Sequence, residues 1–126
     1  MMLLGNLFHI IKLNLSDDGL YARIELDPAH PIFVGHFPLR PILPGVCQLQ
    51  IIEEILGHAF NRKLKLKSIA QVKFLVFIDP ETNKQLDVNI KLRNKENSPF
   101  SAEGSYIWGE TVFLKVKAEF DEYGDA

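Results

Sequence analysis

The residues best suited to chemistry lie in a proline-rich segment, residues 31–46, which contains His36. Its four prolines restrict the backbone to an irregular path, and rigid loops of this kind commonly position a functional side chain. The segment leads into a predicted helix near Gly45, where the first backbone N–H groups have no partner within the helix. Those groups and the positive end of the helix dipole can polarise a carbonyl group. We therefore expect an acid/base histidine beside a carbonyl-binding helix start.

The strands that must support this segment are predicted from the spacing of apolar residues. Apolar and polar residues alternate strictly over 20–26, 86–92 and 114–120, which predicts half-buried antiparallel strands. Residues 72–78 are apolar on both faces and indicate a strand that is covered on two sides. We expect the second cover to be a helix or the same strand of another subunit.

One helix is predicted to begin at Pro44 and Gly45. Its apolar positions recur at steps of three and four and share one face: Val46, Leu49, Ile52, Leu56 and Phe60. A lone apolar helix needs a sheet to cover it. We therefore predict an α+β fold in a single domain, residues 1–126, with one long central helix wrapped by a curved antiparallel β-sheet.

Composition excludes several classes of protein. The chain has 126 residues, of which 47% are hydrophobic and 24% charged, and its net charge of -2 gives no general attraction to nucleic acid or anionic membrane. Its single cysteine, Cys47, cannot form an internal disulfide, and no Cys/His cluster has zinc-ligand spacing. The apolar start of the chain lacks a basic region and is soon interrupted by polar residues. We predict a cytoplasmic protein without metal, cofactor, signal peptide or membrane helix.

Residues 36–46, His-Phe-Pro-Leu-Arg-Pro-Ile-Leu-Pro-Gly-Val, closely resemble the His-Phe-Pro-x-x-Pro-x-x-Pro-Gly-Val motif of the 3-hydroxyacyl-[acyl-carrier-protein] dehydratases of fatty acid biosynthesis. The resemblance implies the hotdog fold. It also implies that His36 is the acid/base and that the N–H of Gly45 donates to the thioester carbonyl, with Phe37 and Val46 beside the substrate. Because two subunits build each acyl tunnel in that family, it implies a homodimer or a higher multiple of dimers.

The resemblance is broken at Gln50, where the family has Glu or Asp on the central helix of the partner subunit. A glutamine cannot donate a proton to a leaving hydroxide, and losing one positioned acid costs roughly 10²–10⁴ in rate. Two rescues are open. Glu53 and Glu54 share the helix face of Gln50. Alternatively, His36 carries the proton in both directions, because an unperturbed imidazole has a pKa of about 6.5. We favour the second route, in which Gln50 orients water or the hydroxyl.

A basic cluster is the candidate docking site for the predicted partner, an acyl carrier protein bearing a 3-hydroxyacyl thioester. Arg62, Lys63 and Lys65 lie in the densest basic run of the chain, and Arg40 lies inside the motif. By alternation, the run is also the solvated face of an entering strand. Neither nucleic acid nor membrane is expected as a partner.

Three functions remain open at this point. The first is a dehydratase or hydratase acting on a 3-hydroxyacyl thioester. The second, motivated by Gln50, is a non-catalytic acyl-thioester binding subunit that pairs with an active relative in a heterodimer. The third is a hotdog thioesterase, in which Glu53 or Glu54 activates water.

Overall fold

The computed structural model describes residues 2–35, 40–93 and 100–124. Six of its strands form one antiparallel sheet in the order β1-β2-β4-β5-β6-β3. The strands are β1 (Phe8–Ser16), β2 (Gly19–Leu26), β3 (Leu64–Phe74), β4 (Gln85–Arg93), β5 (Phe100–Trp108) and β6 (Thr111–Glu122), and the helices are α1 (Ile32–Gly35) and α2 (Gly45–Phe60). The predicted α+β architecture is confirmed: one long helix is covered by a curved antiparallel sheet.

One face of the sheet is apolar and packs in the same core as α2, and the other face is polar. In β4 the buried residues Leu86, Val88, Ile90 and Leu92 alternate with exposed or half-buried polar ones. Residues directly opposite one another in neighbouring strands share a face, as Ile90 does with Leu20 of β2. The three strands predicted from alternation are present as β2, β4 and β6.

The helix α2 begins at Gly45, as predicted, and ends at Phe60. Asn61 follows in the left-handed conformation with φ 51°, and the N–H of Arg62 donates to the carbonyl of Gly57. The fully buried side of α2 is formed by Cys47, Gln48, Ile51, Ile52, Ile55 and Leu56. The predicted apolar face was therefore partly wrong, because Val46 is 76% exposed. No helix within the described ranges is long and apolar enough to span a membrane.

Strand β3 lies at an edge of the sheet, and an exposed apolar stretch, residues 74–77, begins at its last residue. The predicted strand over 72–78 was wrong in its end, since β3 stops at Phe74. The N–H groups of Leu75 and Val76 both donate to the carbonyl of Phe113, so the chain turns away from ladder pairing. Ile78 is buried, but the four residues before it are about half exposed or more. A cover from outside the subunit would bury them.

Candidate functional site

The start of α2 is held in place by the two residues before it. The N–H of Leu43 donates to the carbonyl of Ile78 at 2.8 Å, and the carbonyl of Leu43 accepts from Nε2 of Gln48 at 3.1 Å. Pro44 is the N-cap in an extended conformation, and its side chain makes no cap hydrogen bond. The first turn of α2 is therefore held in place, and no side chain in the described part of the chain accepts its N–H groups, as a carbonyl-binding helix start requires.

The ring of Phe74 packs directly on Gly45. A Cβ atom at position 45 would lie 2.8 and 2.9 Å from two atoms of that ring, which is closer than real Cβ contacts. Only glycine therefore permits this approach without a shift of the ring. Phe74 itself is 53% exposed, and Val46, the residue after Gly45, is 76% exposed. Residue-by-residue reasoning did not assign Phe74 to the site, because the contact links positions 29 residues apart and no local pattern signals it.

His36 and Phe37, the predicted acid/base and a predicted substrate contact, lie outside the described residues. The chain that leads to them is well anchored. The N–H of Asp27 donates to the carbonyl of Leu7 at 2.8 Å, and the N–H of His30 donates to the carbonyl of Asp27 at 3.1 Å. The ring Nδ1 of His30 accepts from the N–H of Ile32 at 3.0 Å at the start of α1. His30 thus has a structural role in this turn.

Of the two predicted rescue carboxylates on α2, Glu54 contacts Gln50, and both carboxylates bind backbone amides. Nε2 of Gln50 donates to Oε2 of Glu54 at 2.8 Å. Glu54 also accepts the N–H groups of Leu3 and Leu4, at distances of 2.7 to 2.9 Å. Oε2 of Glu53 accepts the N–H of Leu66 at 2.6 Å. These bonds hold distant segments of the chain on the helix.

Below the first turn of α2 is a buried polar contact that sequence reasoning missed. Gln48 is 4% exposed, its Oε1 is without a partner in the described structure, and its main-chain carbonyl accepts the hydroxyl proton of Tyr106. Burial raises the pKa of the Tyr106 hydroxyl well above its usual value. Burial also raises the pKa of the Cys47 thiol, which is typical of an unreactive cysteine. This layer stabilises the helix start rather than reacting.

The predicted basic cluster is divided between the two ends of α2. Arg62 forms an ion pair with Glu122 at 3.0 Å and lies over the ring of Phe100, whereas Lys63 and Lys65 are exposed. These residues follow the C-terminal end of a 16-residue helix, roughly 24 Å from its start at 1.5 Å per residue. Arg40 is exposed and lies five residues before Gly45. Within one subunit, Arg40 alone is near the helix start in sequence.

The family model and the relatives that match this chain are all described as dehydratases. A family model described as ApeI-like, ApeI dehydratase, matches residues 12–107. The chain is 30% identical to the 3-hydroxyacyl-[acyl-carrier-protein] dehydratase FabZ of Xanthomonas euvesicatoria pv. vesicatoria over 78 residues, covering 61% of the chain and 51% of that protein. It is 24% identical to FabZ of Coxiella burnetii over 116 residues, covering 86% of the chain and 81% of the relative. The chain thus spans about half the length of the Xanthomonas relative it matches.

Solved structures share the fold. The dehydratase heterocomplex ApeI:P from Xenorhabdus doucetiae aligns with a TM-score of 0.70 at 22% identity, covering 90% of this chain and 96% of that one. An uncharacterized protein from Erwinia carotovora subsp. atroseptica aligns with a TM-score of 0.64 at 24% identity, covering 91% and 92%. The hotdog fold implied by the motif is confirmed.

Proposed function

Because the chain belongs to the ApeI-like dehydratase family, we propose that it removes water from a 3-hydroxyacyl thioester carried on an acyl carrier protein. The observation that carries the proposal is the helix start at Gly45. It ends the His36 motif, its N-cap residue Pro44 makes no side-chain cap hydrogen bond, and an aromatic ring packs on its glycine. A thioester carbonyl placed there would accept the backbone N–H groups that the helix leaves free.

The reaction needs one base and one carbonyl-binding group. His36 takes the proton from C2 of the substrate, and the electron pair moves toward the thioester oxygen, which the N–H of Gly45 stabilises. The C3–O bond then breaks, and His36 returns the proton to the departing hydroxyl group. The products are an enoyl thioester and water, and the imidazole is neutral again. Gln50 orients the hydroxyl, or the attacking water in the reverse reaction, and no cofactor is consumed.

The site is proposed to be completed by a second subunit. Strand β3 is an edge strand, and the residues that follow it, Leu75, Val76 and Phe77, are 47 to 66% exposed. An edge with an adjoining apolar surface is a template for pairing with another chain. Pairing along β3 would bury this surface beside Gly45, so the substrate cavity would be lined by both subunits.

The test is a spectrophotometric assay of enoyl thioester formation and hydration across acyl chain lengths. We expect turnover by the wild type and none above background for His36→Ala, with unchanged circular dichroism. His58→Ala is a matched control, because His58 is exposed in the last turn of α2 and should leave turnover unchanged. The proposal fails if the wild type neither forms nor hydrates an enoyl thioester of any chain length.

A second candidate is an acyl-binding subunit that is active only with a related partner chain. Two observations favour it: Gln50 replaces the expected acid, and the ApeI:P relative is a dehydratase heterocomplex. Robust turnover by the purified homo-oligomer would exclude this candidate. Thioesterase activity has less support, because Glu53 and Glu54 bind backbone amides instead of facing open solvent, and release of free thiol would be its signature.

A further inference from the structure

The carboxylate of Glu54 joins the N-terminal segment of the chain to helix α2. It accepts the N–H of Leu3 at both oxygens, the N–H of Leu4 at Oε1 and the amide Nε2 of Gln50 at Oε2. An ionised carboxylate can only accept hydrogen bonds, so it requires the nitrogen end of the Gln50 amide to face it. The carbonyl oxygen of Gln50 is consequently directed to the other side of the amide group.

The same carboxylate is connected to the loop that carries the motif. Leu3 accepts at its carbonyl from the N–H of Leu7 at 2.7 Å, and the carbonyl of Leu7 accepts from the N–H of Asp27 at 2.8 Å. The carbonyl of Asp27 accepts from His30, whose own carbonyl accepts from the first turn of α1. Leu3 and Leu7 are buried in the core. A continuous set of hydrogen bonds therefore joins Gln50 to the helical turn that directly precedes His36.

We propose that Glu54 is the positioning residue of the reaction. It fixes the amide of Gln50 so that the carbonyl oxygen accepts a hydrogen bond from the substrate hydroxyl or the attacking water, and through Leu3 and Leu7 it holds the loop before His36 in place. This role rests on the proposed dehydratase function. We therefore assign Glu54 a positioning role in place of the proton-donor role that its spacing from Gln50 suggested. Every described partner of the Glu54 carboxylate is an N–H donor from the chain itself.

This contact determines how an acid should be restored at position 50. A Gln50→Glu substitution alone would place a second carboxylate at hydrogen-bond distance from Glu54. Two carboxylates this close repel, and at least one must bind a proton at elevated pKa. The exchange of both residues, Gln50→Glu with Glu54→Gln, avoids this conflict. The amide introduced at position 54 would donate to the carboxylate introduced at position 50, its oxygen would still accept from Leu3 and Leu4, and the net charge would be unchanged.

The experiment measures kcat, KM and the pH dependence of kcat for three variants. For Glu54→Gln we expect kcat to fall about 10- to 100-fold with KM within about twofold, because a misplaced group of this kind costs up to about 100-fold. The introduced amide would donate to the oxygen of Gln50 and turn the nitrogen of Gln50 toward the substrate. The double exchange should restore kcat to at least the wild-type value and add an ionisation to the pH profile, since the new carboxyl group at position 50 must be protonated to act as an acid.

Glu53→Gln is the matched control, because Glu53 is the neighbouring carboxylate of α2 and accepts a backbone N–H from Leu66. It should leave kcat within about twofold, as expected for a group whose loss affects only structure. Full kcat in Glu54→Gln, or a double exchange no more active than Glu54→Gln, would overturn the proposal.

A second readout does not depend on activity. In ¹⁵N-resolved NMR spectra, one side-chain amide proton of Gln50 should shift downfield because it is hydrogen-bonded to Glu54, and this shift should vanish in Glu54→Gln. The N–H groups of Leu3 and Leu4 should be protected from hydrogen exchange with solvent, both in the wild type and in the double variant Gln50→Glu, Glu54→Gln. If these signatures are present but neither the wild type nor any variant has turnover, the proposed dehydratase function is wrong, whereas the contact between Glu54 and Gln50 is confirmed. If they are absent, the positioning proposal is wrong whatever the activity.

Discussion

The two ends of α2 are finished in different ways. At the C-terminal end, Asn61 caps the helix in the left-handed conformation and Arg62 is paired with Glu122. At the N-terminal end, the N-cap Pro44 makes no side-chain cap hydrogen bond, Val46 is exposed and the ring of Phe74 rests on Gly45. The C-terminal end is closed by contacts within the chain, whereas the N-terminal end, as far as the described residues go, presents N–H donors and apolar surface that other groups can cover. We infer that the C-terminal end serves stability and the N-terminal end serves binding.

The largest effect expected from this difference is at Gly45. The substitution Gly45→Ala would push the Phe74 ring away from the helix start and should lower kcat/KM by about 100-fold, since small misplacements at a reaction centre can cost this much. Helix propensity favours alanine over glycine, so the melting temperature should not fall. The measurement pairs the enoyl assay with thermal unfolding.

The double variant Gly45→Ala, Phe74→Ala identifies the cause of that loss. Removal of the ring should recover at least part of the activity lost in Gly45→Ala, because the Cβ then has space. Full activity in Gly45→Ala alone would remove the distinction between the two ends of α2.

A smaller effect is expected from the charges at each end. Arg40→Glu, near the N-terminal end in sequence, should raise KM for a carrier-linked substrate by about tenfold, equivalent to about 1.4 kcal/mol, and the effect should weaken with salt. Lys63→Glu, beyond the C-terminal end, is the matched charge reversal and should change KM less. Steady-state kinetics with carrier-linked and short thioester substrates separates docking from catalysis. A larger effect at Lys63 would mean that the carrier docks at the opposite end.

The smallest effect on function is expected at Asn61. Substitution by alanine should lower the free energy of unfolding by about 1 kcal/mol, because Asn61 is in the left-handed conformation. Alanine is strained there by its Cβ, whereas glycine has no Cβ and asparagine adopts this conformation more readily than most residues. Asn61→Gly should be neutral or stabilising. Denaturant unfolding gives the free energies, and kcat should be unchanged in both variants. A loss of turnover in Asn61→Ala would show that the two ends of the helix are not independent.

Local patterns in the sequence were sufficient for most of the fold. Alternation predicted β2, β4 and β6, and the Pro44-Gly45 pair predicted the start of α2, because each depends on neighbours in the chain. The end of β3 could not be predicted this way. Residues 72–78 alternate as a strand would, but Phe113 accepts the N–H groups of Leu75 and Val76 outside the ladder.

The site was less predictable because its contacts are long-range. The motif led to His36, Gly45 and Gln50, but not to the ring of Phe74 on Gly45. Glu54 was considered as an acid because it shares a helix face with Gln50, and that spacing is correct. Its bonds to Leu3 and Leu4, 51 and 50 residues away, give the carboxylate a different role from the one that spacing suggested.

The proposed pairing along the edge strand β3 would make stability depend on concentration as well as on sequence. A subunit whose exposed edge and apolar surface are buried only on association gains free energy of folding from its partner, by mass action. On this proposal we expect dilution alone to destabilise the chain. A subunit produced in excess of its partner would present an unpaired strand to other copies, which is the usual route to aggregation. The two surfaces that meet at β3 would then have to be produced in matched amounts, whether they belong to one gene product or to two.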